Sequence, residues 1–189
     1  MSTQKLPKPK SSNPYFEVRK SKIQGYGSFA KVNIPKGTQI IQYVGEIISD
    51  KEANKRYNDA AMKRHHTFLF SLGKNKVIDG AVGGNESIYM NHSCEPNCEP
   101  VQYGMEIFVE TIRDVMKGEE IVYDYRYERQ PEHTKEDEEL YSCLCHTPSC
   151  RGTILAPEII NDKKKQKAAK KSDKKSIKTK DKKAKKKSL

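Results

Sequence analysis

Apolar and polar positions alternate in short runs along most of this chain, and nowhere do they form a long helical stripe. Residues 15–18 and 39–43 are aromatic and β-branched runs, separated by Gly25-Tyr26-Gly27 and by Asn33-Ile34-Pro35-Lys36-Gly37. Such runs read as strands, and the glycine- and proline-bearing stretches between them as turns. Further short runs at 67–72, 77–79, 107–110 and 120–125 are interrupted by glycine, asparagine and proline. One stretch differs: Ser49 or Asp50 can cap a helix reaching about Met62, with Glu52 near the positive end of its dipole. This is the longest helix the pattern predicts. No period repeats, and no strand is followed by a glycine-rich turn and a long helix, as a dinucleotide fold would require. The expectation is a mainly β fold of small sheets with few short helices.

Composition divides the chain near residue 161. Residues 161–189 hold fifteen lysines and three aspartates with no glycine, proline or aromatic residue, a charge of +12 that cannot enclose an apolar core. Against the total of +11, the first 160 residues carry about −1, so the basicity belongs to a tail expected to be disordered. Residues 1–14, rich in lysine, serine and proline, read as a flexible lead. The body between is the size of one domain. No run is long and apolar enough to span a membrane, no apolar N-terminal segment resembles a secretory signal, and the body is expected to be soluble without membrane contact.

The five cysteines are odd in number, which weighs against a disulfide framework. Cys143-Leu144-Cys145 and Cys150 need a fourth partner to form a tetrahedral structural zinc site, and Cys94, about fifty residues upstream, offers a thiolate. His146 is the rival ligand, nearer in sequence and equally suited to zinc. With Cys94, the metal would clamp the C-terminal segment over a distant surface.

A second cluster is aromatic. Tyr123-Asp124-Tyr125 closes a strand-like run after Gly118-Glu119-Glu120, and alternation places both tyrosines on one strand face. Ordinary sheet packing and a pocket are both compatible with that face. Gly25-Tyr26-Gly27 alone is a tight turn.

Taken in order, Lys22-Ile23-Gln24-Gly25-Tyr26-Gly27-Ser28-Phe29-Ala30, Tyr43-Val44-Gly45-Glu46, Val77-Ile78-Asp79-Gly80, Asn91-His92-Ser93-Cys94-Glu95-Pro96-Asn97, Gly118-Glu119-Glu120, Tyr123-Asp124-Tyr125 and the cysteine cluster resemble the SET-domain protein lysine methyltransferases across residues 15–153. The resemblance implies a β-clip fold with a pseudoknot, in which the segment near Asn91-His92 threads beneath a C-terminal loop. It implies S-adenosylmethionine as methyl donor, held by Gly25, Tyr26, Gly27, Asn91 and His92. It implies Tyr125 as the catalytic tyrosine, Tyr43 in the wall of a target-lysine channel and Tyr123 at the position that influences methylation number. It assigns zinc to Cys94, Cys143, Cys145 and Cys150, leaving Cys98 to pack as a small apolar residue. The implied domains are a SET domain over 15–135, a post-SET zinc segment over 136–160 and the tail over 161–189.

Phe68 departs from the family, standing where many members have a tyrosine, and His65-His66 before it read as exposed residues at a helix end. Asp79, Glu46 and Gly83-Gly84-Asn85 read as turn supports. The acidic run Glu136-Asp137-Glu138-Glu139 reads as solvated linker charge or as a steering patch for a basic peptide. The tail resembles linker-histone tails in composition, so nonspecific DNA is an expected partner beside a lysine-rich substrate such as a histone or a bacterial histone-like protein. Spacing in the body resembles bacterial members, which implies a bacterial cytoplasm or nucleoid, or export to a host nucleus. A different class of function remains, a chromatin- or nucleoprotein-binding module without catalysis.

Overall fold

The structure, a computed structural model, describes residues 12–57, 62, 65–130 and 134–157. The chain divides into a unit ending at Ala156 and a second beginning at Pro157, and the fold described is that of the first. The tail, the start of the lead and part of the expected helix lie outside the described residues. Asn13 belongs to the folded body: its side chain donates to the Ile40 carbonyl and accepts from the Tyr15 amide.

Among the described residues of the body there are ten strands and two short α-helices. In chain order they are β1 Phe16–Lys20, β2 Tyr26–Ala30, β3 Gln39–Tyr43, β4 Glu46–Ser49, α1 Asp50–Arg56, β5 Leu69–Gly73, β6 Lys76–Asp79, β7 Asn91–His92, β8 Cys98–Tyr103, β9 Glu106–Thr111, β10 Glu120–Tyr123 and α2 Lys135–Leu140. A 3₁₀ turn over Glu86–Tyr89 precedes β7. The fold is mainly β, as expected. No described helix is long and apolar enough to cross a membrane.

The larger sheet runs β1-β2-β10-β8-β9-β3, and the smaller β4-β6-β5. β9 shows why the pattern forms strand: Ile107, Val109 and Thr111 are buried while Glu106, Phe108 and Glu110 alternate toward the other face. β10 is the junction. It lies antiparallel to β2 at Glu120 and Ile121, and parallel to β7 and β8 at Val122 and Tyr123. Asn97, 1% exposed, fastens that crossing by donating to the Glu120 carbonyl and accepting from the Val122 amide, at 2.8 and 2.9 Å. A buried amide satisfied this way holds two backbones in register without water.

The main core gathers Phe16, Ile34, Ile40, Met90, Cys98, Val109, Val115, Ile121 and Tyr123. Each large side chain removed from water contributes roughly 1.5–3 kcal/mol, before the entropy of ordering it. This core positions the site directly, because Met90 and Tyr123 belong to both. Cys98 is fully buried, and burial pushes its thiol up to about 12, in keeping with a packing role.

The expected helix to Met62 stops at Arg56. Ser49 caps it by accepting from the Glu52 amide, but Arg56 and Tyr57 are drawn onto Asp79, whose carboxylate takes the guanidinium at 2.9 Å and the phenol at 2.7 Å. Tyr57 is extended as a result. Asp79, 1% exposed, also accepts from the Ala81 amide, and Glu46 pairs with the same guanidinium, so both support local structure. The acidic run is helix rather than linker: Thr134 and Asp137 form a capping box at the start of α2, and Glu138 pairs with Arg129.

Candidate active site and cysteine cluster

Gly25 turns the chain with φ +49°, a left-handed conformation that strains other residues. At Gly27 the constraint is space rather than conformation. A Cβ there would lie 2.2 Å from a Glu120 carboxylate oxygen. That carboxylate accepts from the Ser21 hydroxyl at 2.8 Å and from the Asn91 side-chain amide at 2.7 Å. Asn91 also donates to the Tyr26 carbonyl at 3.0 Å. Glu120 and Asn91 therefore bind the turn to β7 and β10, and a carboxylate not singled out in the sequence organises one wall of the site.

Two openings make up the site, and the first lies against this wall. A cavity of about 190 Å³ is lined by Gln24, Gly25, Tyr26, Asn91, His92 and Leu144, among others. A wider groove of about 670 Å³ is lined by Tyr43, Phe70 and Tyr123 together with polar residues such as Asp50 and Glu128. The two share Thr67, Phe68, Ile88, Tyr125 and Tyr127. Of the residues expected to hold the methyl donor, Gly25, Tyr26, Asn91 and His92 face the cavity, whereas Gly27 lines neither opening and packs behind it. Tyr43 and Tyr123 face the groove, and Tyr125 stands at the junction.

β10 ends at Tyr123, so strand alternation does not reach Tyr125; the two rings nevertheless lie 5.0 Å apart. Tyr125 donates its hydroxyl proton to the Met90 carbonyl at 2.8 Å, and its amide donates to His92 Nδ1 at 3.1 Å. Tyr43 donates to the Phe68 carbonyl at 2.7 Å. Burial raises Tyr43, Tyr123 and Tyr125 above the usual phenol range, so all three are neutral hydroxyls near pH 7. Burial also lowers His92 to about 4, the nearby Asp124 opposing and Arg151 assisting. His92 is therefore neutral, with Nδ1 as acceptor and its proton on Nε2, which faces Cys94 Sγ at 3.4 Å.

Two aromatic contacts were not anticipated. His65 is not exposed as expected: its ring stacks on Tyr141 at 4.4 Å and meets Tyr127 edge-on at 4.5 Å, while His66 is exposed, and most of the residues before them lie outside the described ones. Tyr127 bonds through its hydroxyl to Thr67 Oγ1 at 3.0 Å. The spacing Tyr123, Tyr125, Tyr127 carried a signal for it. Thr67 and Ile88 carried none, because their place depends on how the smaller sheet meets the larger.

Cys94, Cys143, Cys145 and Cys150 converge, their sulfurs all within 4.8 Å of one another. The Cys94–Cys143 separation is 3.8 Å. Tetrahedral zinc–thiolate bonds of about 2.3 Å require sulfurs about 3.8 Å apart, so this set suits such an ion. Backbone amides of Cys145, Arg151 and Gly152 donate to Cys143, Cys94 and Cys150, an arrangement that stabilises sulfur as thiolate. His146 is exposed, with φ +54°, and is not in the cluster. Leu144, between two of these cysteines, reaches the cavity wall.

Comparison with known proteins agrees with the site. Residues 25–126, just over half of the chain, match the SET domain. A protein named histone-lysine N-methyltransferase trr from Drosophila melanogaster is 34% identical over 138 residues, covering 71% of this chain and 6% of that protein. Histone-lysine N-methyltransferase ash1, from the same fly, is 36% identical over 143 residues, covering 69% and 6%. A histone-lysine N-methyltransferase, H3 lysine-4 specific, from Schizosaccharomyces pombe is 34% identical over 139 residues, covering 71% and 14%. This chain thus spans only a small part of the length of these relatives. With the ordered motifs, the β10 crossing and the match over 25–126 in agreement, the chain belongs to the SET domain family.

Proposed function

We propose that this chain is a protein-lysine N-methyltransferase, moving a methyl group from S-adenosylmethionine to a side-chain amine of a histone or a bacterial histone-like protein. The observation that carries this reading is the position of Tyr125, shared by a cavity on one side and an aromatic-lined groove on the other. Donor and acceptor can enter by separate openings and meet at one phenol. The cavity, bounded by the Gly25 turn, Asn91, His92 and Leu144, suits the donor. S-Adenosylmethionine supplies there a methyl group made electrophilic by its sulfonium.

The protein's own residues deal with the acceptor. A free lysine amine titrates near 10.4 and is almost wholly protonated at neutral pH, so it has no lone pair to offer. Tyr43, Phe70 and Tyr123 surround it with aromatic surface, which disfavours the ammonium and lowers that value. The deprotonated nitrogen forms the C–N bond as the C–S bond breaks. Sulfur leaves as a neutral thioether, and the methylated ammonium gives its proton to solvent. Tyr125 has committed its own proton to Met90, so its oxygen is left to accept the amine N–H or the polarised methyl C–H groups. A phenol raised above its usual range does not serve as the base.

Cys94, Cys143, Cys145 and Cys150 would hold zinc with no part in the transfer. Its contribution would be folding energy, fixing Leu144 in the cavity wall. The lysine-rich tail would add nonspecific affinity for DNA, directing the body to substrates beside nucleic acid in a nucleoid or a host nucleus.

The test is transfer of labelled methyl groups from S-adenosylmethionine to a panel of basic proteins, with donor binding measured in parallel. Labelled lysine is expected. Donor binding with no labelling of any panel member would instead assign a binding module without catalysis.

A further inference from the structure

Arg151 lies beyond the part of the chain that matches the SET domain, next to the last cysteine of the cluster. Its two ends are committed to different places. The main-chain N–H donates to Cys94 Sγ at 3.3 Å. The guanidinium turns the other way: Nη2 donates to Asp124 Oδ1 at 2.8 Å and approaches the Leu155 carbonyl at 3.4 Å. Asp124 separates Tyr123 from Tyr125 and is 11% exposed, while the Arg151 side chain is 24% exposed. A charge-assisted bond this sheltered is worth more than a surface pair.

Asp124 has one competing partner of the same charge type, Arg126, 3.4 Å away and 71% exposed. Arg126 donates both its backbone N–H, at 3.3 Å, and its exposed Nε to Asp124, but it is the adjoining turn of the same segment, whereas Arg151 comes from the cluster and is fixed there at its backbone. Between Cys94 and the pocket tyrosines there are therefore two short links. One passes through His92 to the Tyr125 amide, and the other through Arg151 to the residue before Tyr125. Only the second is an ion pair, and it comes from the segment that closes the cavity.

We propose that Arg151 is a positioning residue for methyl transfer: by joining Cys94 to Asp124 it sets the height of Tyr125 between the cavity and the groove. The proposal rests on the methyltransferase reading, but the geometry separates its consequences. Any side chain at 151 keeps the main-chain donor to Cys94, so replacing arginine leaves the cluster's sulfurs satisfied. What is lost is the cluster's hold on Asp124, which keeps its contacts to the neighbouring Arg126 and to His92. The residue acts through Tyr125 and touches neither reactant.

Arg151→Ala, Arg151→Lys and Asp124→Asn, each purified with zinc, test this. Arg151→Ala is expected to retain one zinc per chain, to lower kcat by roughly tenfold with a much smaller change in KM for the donor, and to speed hydrogen exchange at the Tyr125 amide. Lysine, able to make one such bond, is expected to restore part of both losses. Combining Arg151→Ala with Asp124→Asn is expected to do no more harm than either alone. The proposal is overturned if Arg151→Ala leaves exchange at Tyr125 unchanged, or if it releases zinc, which would make Arg151 part of the metal scaffold. It is equally overturned if kcat is unaffected while the parent is active. Should the parent transfer no methyl groups, the exchange and zinc measurements still decide the link, and the methyltransferase reading fails separately.

Discussion

The Tyr125 hydroxyl points at the Met90 carbonyl, 2.8 Å away, and Met90 is itself part of the main core. The phenol at the junction is thus oriented by a carbonyl of the main core, and its proton is spoken for before any substrate arrives.

Tyr125→Phe should keep the ring and lose the oriented oxygen. A fall in kcat on the order of 10²-fold is expected, with donor affinity changed by less than about threefold, because the interaction belongs to the transition state. Single-turnover rates alongside equilibrium donor binding check this. Rates equal to those of the parent would mean that the hydroxyl is dispensable.

Tyr123 is buried against Phe70 and Tyr125 on the groove side. Replacing it by phenylalanine removes one oxygen where a methylated amine must rotate, so the highest methylation state is expected to rise. Mass spectra of exhaustively treated peptide report it. An unchanged product ladder would assign Tyr123 to packing alone.

Cys94→Ser should reduce zinc well below one ion per chain, since three thiolates remain and His146 is exposed outside the cluster. Elemental analysis decides it. Cys98→Ala, in the core rather than the cluster, should keep the ion while losing some thermal stability.

Alkaline titration offers an independent reading of the pocket. Tyr43, Tyr123 and Tyr125 are held above their unfolded value of about 10 because burial disfavours the phenolate. Above pH 10 the unfolded chain releases these protons before the folded one does. Their contribution is full below that point, and stability falls as pH rises beyond it. Tyrosinate absorbance should appear in an early group and a late group, the late one coinciding with unfolding. The transfer rate should meanwhile climb between pH 7 and 9 as substrate amine deprotonates, with no loss from these phenols. A single tyrosinate transition near 10 would contradict the buried pocket.

Removing residues 161–189 takes away a charge of +12 and no aromatic residue. Affinity for DNA should drop, and the slope of log affinity against log salt should flatten. Turnover on a short peptide should be retained, and turnover on DNA-associated protein should fall, most at low salt. Equal loss on both substrates would give the tail a role in folding.

Much of this site was legible because its chemistry restricts residue choice. Four thiolates, glycine at φ +49° and tyrosines two apart leave marks in a sequence. β9 was legible too, since its burial follows the two-residue period, and β3 was legible from its β-branched and aromatic run although its burial breaks that period. β2 was not, because Gly27 interrupts its apolar run, and the space beside that glycine is taken by the Glu120 carboxylate, distant in sequence. β7 is only two residues long and exists as strand through its pairing with Val122 and Tyr123. The early end of α1 was hidden for the same reason: local propensity favours helix, and Asp79, distant in sequence, captures Arg56 and Tyr57.

β10 has a consequence for how the body is made. Four residues near position 120 complete pairings with β2, β7 and β8, so the earliest strands wait almost a hundred residues for the neighbour that covers them. The cysteine partners of Cys94 arrive later still. During synthesis at roughly 5–20 residues per second, the half-built domain leaves the ribosome with open strand edges for several seconds. Closure then comes late and together, so a chain truncated before residue 123 should be a client of chaperones and proteases rather than a smaller folded domain.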